Sequence, residues 1–147
     1  MKTRTRGFSL IELLIAVTII AILTAVGMAN FRTASQKARD SRRESELEQI
    51  RSALELYRSD SPTGYPSTLP VCGDELVIGS NVYIKKMPCD PSDPDSAGYS
   101  YIITRSSGSN NFEYELGAEF ETDGNGECDA LSEQVDSDGK GYCVVNP

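Results

Sequence analysis

The side chains of this chain whose spacing suggests chemistry are carboxylates and cysteines, and its 147 residues include no histidine. Histidine is the usual general base near neutral pH and the commonest transition-metal ligand, so a hydrolase or a zinc site lacks its main residue here. No nucleophile and no pair of carboxylates stands out as catalytic. The sequence therefore predicts a protein that is not an enzyme. A net charge of -8 also provides no general basic surface for nucleic-acid phosphates.

The last third of the chain is strongly acidic. Residues 106–147 hold ten acidic side chains and one basic one, Lys140, which leaves nine net negative charges. Oxygen-bearing side chains alternate with other residues at Asp123, Asn125, Glu127 and Asp129. This pattern resembles the start of an EF-hand loop, in which calcium takes about six to eight oxygens. Glu121 replaces the expected Asp and Ser132 stands where a bidentate Glu belongs, so a solvated acidic turn is the alternative to a calcium site.

Residues 8–31 form a long apolar stretch whose only ionisable side chain is Glu12. As a helix these 24 residues span about 36 Å, enough to cross a hydrocarbon core of about 30 Å. Three cations and no acid precede the stretch, at Lys2, Arg4 and Arg6. The positive-inside rule therefore predicts a single-pass membrane protein, with residues 1–7 in the cytoplasm and the C-terminal part outside.

Two simpler interpretations of this stretch remain. A secretory signal cleaved after Ala29 has an apolar region of about 7 to 15 residues, which is shorter than the one observed here. A plain membrane anchor explains the length but not Glu12, because an acid at the centre of a membrane helix costs about 2.5 to 3.5 kcal/mol. The retained carboxylate indicates a function.

The four cysteines then lie in an oxidising compartment, where an even number favours two disulfides with three possible connectivities. They are Cys72, Cys89, Cys128 and Cys143. We predict the local pairs, 72 with 89 and 128 with 143. Each pair closes a loop of about 16 to 18 residues, for which chain entropy gives roughly 3 kcal/mol. Each pair also ties down a segment with few core residues.

The N-terminal residues RGFSLIELLIAVTIIAIL resemble the start of type IV prepilins and type II secretion pseudopilins. The resemblance implies cleavage between Gly7 and Phe8 by an inner-membrane prepilin peptidase and N-methylation of Phe8. It also implies assembly with copies of the chain and other pilins into an extracytoplasmic helical filament, through an inner-membrane assembly platform. The family usually has Gly at the position of Ala21 and Pro at that of Ala29, so a helix kink is not required at residue 29.

The resemblance also gives Glu12 a role in filament assembly. An amine and a carboxylate that are left apart in an apolar environment are each costly to desolvate. After cleavage, Glu12 of one subunit can pair with the Phe8 amine of its neighbour. Such a buried pair would fix the axial register of the subunits.

Beyond Phe31 the helical period continues to Arg58 in a charged segment, with an apolar stripe for packing on a sheet. The stripe is formed by Leu47, Ile50, Leu54 and Tyr57. Interleaved acids favour a solvated helix face for the basic cluster Arg39, Arg42 and Arg43. The Pro- and Gly-rich residues 59–98 indicate a long loop with a short strand at residues 82–85.

Strands are predicted at residues 99–104, 112–120 and 142–145, with a turn over residues 105–111. Alternation in the second strand predicts one core face and one solvent face. The expected fold is α+β and pilin-like, a long N-terminal helix, membrane-spanning in its first half, packed on a small antiparallel sheet. The expected segments are a leader (1–7), a membrane and filament-core helix (8–31) and an extracytoplasmic domain (32–147).

The predicted function is that of a structural subunit of a type IV pilus-like filament. GYPSTL and YIKKMPCDP resemble major pseudopilins of type II secretion systems, which drive protein export and bind calcium in their C-terminal loop. The lack of Trp and the four cysteines are closer to pilins, so a secretion pseudopilin is the alternative. A competence-type DNA-binding pilin would need an exposed basic patch, and a tethered extracellular enzyme would need turnover by the soluble domain.

Overall fold

The computed structural model describes residues 8–93, 98–122, 128, 130–131 and 140–146, without the side chain of residue 29. The chain divides into two compact units, Met1–Ser35 and Gln36–Pro147. The described elements are one helix, α1, followed by five strands, β1 to β5. Each unit is considered by itself below.

Helix α1 covers Leu10–Asp60, within two residues of the predicted helix at each end. No proline interrupts it, and Ser61-Pro62-Thr63-Gly64 follows its last turn with residues that disfavour a helix. In the first unit its apolar side chains are largely exposed, from 51% for Ile15 to 82% for Leu10. By length and composition, α1 is long and apolar enough to cross a membrane.

The main sheet in the second unit is antiparallel, with the order β3-β4-β5. Its strands are β3 (Ser100–Ser107), β4 (Asn110–Glu119) and β5 (Gly141–Val145), so all three predicted strands are confirmed. The β3–β4 turn is tighter than predicted, because pairing extends to Ser107 opposite Asn110. At the other side of β4, Leu116 pairs with Val144.

A small hairpin lies inside the segment that the sequence analysis assigned to a long loop. It consists of β1 (Leu76–Ile78) and β2 (Asn81–Ile84), which pair antiparallel. The sequence predicted the second strand and missed the first, which has only three residues. Leu76 and Ile84 are buried in the core cluster, so the hairpin packs against the core of the second unit.

The core of the second unit forms where the predicted helix stripe meets the main sheet. Leu47, Ile50 and Leu54 are fully buried in one cluster with Tyr114 and Leu116 of β4. Tyr57, the last residue of the stripe, packs against this cluster while partly exposed. The prediction of an α+β architecture is confirmed.

The second face of β4 is solvated at Glu119 and partly at Glu113, but the prediction of a water-facing surface is wrong at Glu115 and Gly117, which are buried. Glu115 is 1% exposed, and the backbone N–H of Ala130 donates to its Oε2 at 2.6 Å. Leu131 is fully buried and clusters with Ile102 and the Cys128–Cys143 pair. The C-terminal region therefore covers this face at Glu115, a long-range contact that strand alternation does not encode. The predicted core residue Phe112 is instead 40% exposed.

Candidate functional site

Glu12 closes a capping box at the start of α1. The backbone N–H of Ser9 donates to Glu12 Oε2 at 2.9 Å, and the backbone N–H of Glu12 donates to Ser9 Oγ at 3.3 Å. These reciprocal bonds satisfy two N–H groups that have no partner within the helix. The sequence analysis singled out Glu12 but not Ser9, although the Ser-x-x-Glu spacing before an apolar run is a known capping signal.

The other hydroxyl side chains in the apolar part of α1 also bond to their own helix. The Thr18 hydroxyl donates to the Ile15 carbonyl and the Thr24 hydroxyl donates to the Ile20 carbonyl, both at 2.8 Å. The apolar helix surface thus carries no hydroxyl that needs water. This property suits an environment of lipid or of other apolar helices.

Phe8 is 86% exposed in the described structure, beside the predicted cleavage site. Gly7 and the remaining residues of the predicted leader lie outside the described residues. The structure therefore leaves cleavage between Gly7 and Phe8, and methylation of Phe8, as predictions.

A buried ionic cluster in the second unit was missed by the sequence analysis. Arg43 is 2% exposed and donates to Asp40, Asp90, Ser92 and Glu121. This corrects the prediction of a solvated face for Arg43. Arg39 also pairs with Glu121, whereas Arg42 keeps an exposed side chain and pairs with Glu46 at 2.7 Å. The cluster joins α1 to the loop after Cys89 and to the end of β4.

The carboxylates of this cluster are held in their charged form. The hydrogen bond from Arg39 lowers the pKa of Glu121 to about 2. Burial alone raises the pKa of Asp40, but hydrogen bonds from the Thr122 hydroxyl and the backbone N–H groups of Glu121 and Thr122 bring it below its usual range. Burial also raises the pKa of Asp90. The hydrogen bond from Arg43 outweighs burial, so the pKa of Asp90 is lowered as well.

Both disulfides join the local pairs that the sequence analysis favoured. Cys72 bonds to Cys89 with a Cα–Cα distance of 5.0 Å, and Cys128 bonds to Cys143 with 5.3 Å. The first pair holds together the segments on either side of the β1–β2 hairpin. The second pair fixes the C-terminal cover of Glu115 to β5.

The proposed calcium ligands Asp123, Asn125, Glu127 and Asp129 lie outside the described residues. The described residues around them are anchored. The Asp40 carboxylate accepts from the backbone N–H and the hydroxyl of Thr122, and Cys128 is held by its disulfide. Glu121, the first residue of the EF-hand-like run, is bound to Arg39 and Arg43. Because Glu121 is already bound to two arginines, a calcium ion would depend on the four proposed ligands Asp123, Asn125, Glu127 and Asp129.

Comparison with known proteins identifies relatives of two kinds. Type II secretion system core protein G of Dickeya chrysanthemi is 27% identical over 67% of this chain and 60% of the relative. The same core protein of Pseudomonas aeruginosa is 28% identical over 80% of this chain and 87% of the relative. Type IV major fimbrial protein FimA of Dichelobacter nodosus is 42% identical over 54% of this chain and 51% of the relative.

The chain thus spans about three fifths of the Dickeya protein and about half of the Dichelobacter protein. No solved structure matches it. Residues 2–28 match the family model of the prokaryotic N-terminal methylation motif, a range that includes Phe8, Ser9 and Glu12. The chain carries this motif, and it is similar to type II secretion system core protein G and to type IV major fimbrial proteins.

Proposed function

We propose that this chain is a structural subunit of a type IV pilus-like filament, without catalytic activity. The observation that carries the proposal is the first part of α1, where apolar side chains are exposed around a single carboxylate. Such a surface is stable only against lipid or against other apolar helices. Before assembly the lipid of the inner membrane covers it, and in the filament the same helices of neighbouring copies do so.

Processing is the first step of the proposed function. A prepilin peptidase cleaves between Gly7 and Phe8 at the cytoplasmic face, and the new amine of Phe8 is methylated. The match of residues 2–28 to the methylation motif supports this step.

Assembly is the second step, and it uses Glu12. The amine of Phe8 on an incoming subunit pairs with the Glu12 carboxylate of its neighbour, since each group is costly to leave alone in an apolar environment. Glu12 is the only ionisable group of residues 8–31, so it is the only side chain there that can give this charged contact.

The proposal is tested by expressing the chain with a prepilin peptidase and an assembly platform and imaging sheared surface material by negative-stain electron microscopy. We expect filaments that contain the chain, and we expect Glu12→Ala to remain in the membrane fraction without forming them. Normal filament yield from Glu12→Ala would refute the role of Glu12. Absence of any filament from the unaltered chain would refute the proposal itself.

A major-type pseudopilin of a type II secretion system is the second candidate, since relatives of this chain are named core protein G. Both candidates share the anchor, the processing and the assembly step. They differ in what the filament does. Disruption of the gene abolishes surface filaments if the chain is a pilin, and it abolishes export of secreted proteins if the chain is a pseudopilin.

Calcium binding at Asp123, Asn125, Glu127 and Asp129 stays a prediction. The anchoring of Thr122 and Cys128 supports it, because a short acidic segment held at both ends loses less conformational entropy when it orders around an ion. The nine net negative charges after Arg105 also repel one another, which a divalent cation relieves.

A further inference from the structure

The capping box at the start of α1 uses only one oxygen of the Glu12 carboxylate. Oε2 accepts from the backbone N–H of Ser9, while Ser9 Oγ accepts from the backbone N–H of Glu12. Oε1 has no hydrogen-bond partner among residues 8–93. A carboxylate has about four acceptor positions, so the box leaves most of this capacity unused.

The capping box also fixes the position of the Glu12 carboxylate along the helix. Helical side chains point toward the N-terminus of their own helix, and the bond to Ser9 holds Glu12 in that direction. Its charge then lies beside the first backbone N–H groups, where the positive end of the helix dipole stabilises an anion. The carboxylate therefore lies within hydrogen-bond distance of the Ser9 N–H, three residues before Glu12.

We propose that Ser9 is a positioning residue for assembly, which fixes Oε2 of Glu12 and presents Oε1 to the amine of a second copy of this chain. The inference rests on the proposed function of Glu12 and adds a residue to it. The incoming amine meets a carboxylate that is already oriented, so fewer rotamers are lost on docking. Before assembly, while the subunit is in the membrane, the same bonds reduce the free-energy cost of desolvating the Glu12 carboxylate.

A matched pair of substitutions tests this role, because Thr and Val have nearly the same shape and differ in the hydroxyl. Ser9→Thr keeps the acceptor for the Glu12 N–H, and Ser9→Val removes it. We expect Ser9→Thr to give filaments at the yield of the unaltered chain. We expect Ser9→Val to give about fivefold fewer filaments per processed chain, the factor that roughly 1 kcal/mol of lost capping produces. Equal yields from the two variants would overturn the proposal.

Two further measurements separate this proposal from the one on which it rests. Hydrogen exchange of the Glu12 amide, measured on the full chain in detergent, should be faster in Ser9→Val than in Ser9→Thr, whether or not the leader is removed. Equal exchange rates would also overturn the role of Ser9. Glu12→Gln keeps an acceptor for the Ser9 N–H but loses the charge. If Glu12→Gln abolishes filaments while Ser9→Val does not, the filament proposal survives and the Ser9 proposal fails.

Discussion

At the scale of single residues, Arg43 lies on a charged face of α1 and is buried in contact with acidic side chains from other parts of the chain. Its Nε and Nη2 donate to Asp90 at 2.7 and 2.9 Å, and Nη2 donates to Ser92 at 2.7 Å. The spacing of Asp40 and Arg43 indicates a local ion pair in the sequence. The other partners, Asp90, Ser92 and Glu121, lie 47, 49 and 78 residues away, so no local pattern could predict them.

Replacing Arg43 should destabilise the second unit strongly. Arg43→Met keeps the length of the side chain but leaves Asp40 and Asp90 without their cation, and breaking a buried pair in this way costs about 3 to 5 kcal/mol. The matched control is Arg42→Met, because that side chain is exposed and should contribute little. Urea unfolding of the full chain in detergent measures both. Similar midpoints for the two variants would contradict the buried-cluster account.

Gly64 is required where the chain leaves α1. Its φ is +82°, and a Cβ added there would lie 2.1 Å from the Asn111 carbonyl oxygen. Gly79 has a positive φ of +60° but nothing within 4 Å, which makes Gly79→Ala the control for backbone strain alone. We expect Gly79→Ala to cost about 1 kcal/mol and Gly64→Ala to cost roughly 1 to 3 kcal/mol more. Equal melting temperatures of the two variants would show that the close approach is absent.

At the scale of elements, β4 shows how far the sequence predicts this fold. Alternation along it correctly places Tyr114 and Leu116 in the core, because a half-buried strand has a period of two. The same alternation fails at Glu115 because the cover comes from residues 128 and 131, beyond the end of the strand. The helix is predicted almost completely since its signals are local. The three-residue strand β1 has too short a pattern to recognise.

The two disulfides of the second unit give a testable connectivity. A peptide map of the oxidised protein should contain Cys72 joined to Cys89 and Cys128 joined to Cys143, since each pair lies at bonding distance in the structure. Removing either pair should cost about 3 kcal/mol, because the loops are similar in length. Only loss of the second pair should speed exchange of the Ala130 amide, which follows Cys128 by two residues and bonds to Glu115. A peptide joining Cys72 to Cys128 would contradict the structure.

At the scale of the whole molecule, the buried cluster makes stability depend on pH. The pKa of Glu121 is lowered from 4.5 to about 2, and those of Asp40 and Asp90 are lowered from 3.8. Carboxylates with lowered pKa values stabilise the folded state above their unfolded values and lose this effect as the pH falls. We therefore expect unfolding midpoints to be constant down to about pH 5 and to fall between pH 4.5 and 2. A smaller fall in Arg43→Met would assign the effect to the cluster.

Calcium should raise the melting temperature of the oxidised full chain if the acidic segment binds it, because ligands that bind the folded state stabilise it. The comparison is between millimolar calcium and a chelator. Replacing Asp123 and Asp129 by Asn removes two charged ligands and is expected to abolish the shift. The same melting temperature in calcium and in chelator would leave a solvated loop and no metal site.

The filament account is tested most directly by intact-protein mass spectrometry of sheared surface filaments. Because the account requires cleavage before Phe8 and modification of the new amine, it predicts one species, residues 8–147 with a single added methyl group and two disulfides. Fragmentation should place the methyl group on Phe8. Recovery of the chain with its N-terminus at Asn30, as a secretory signal would leave, or only as the uncleaved chain in the membrane, would contradict the account.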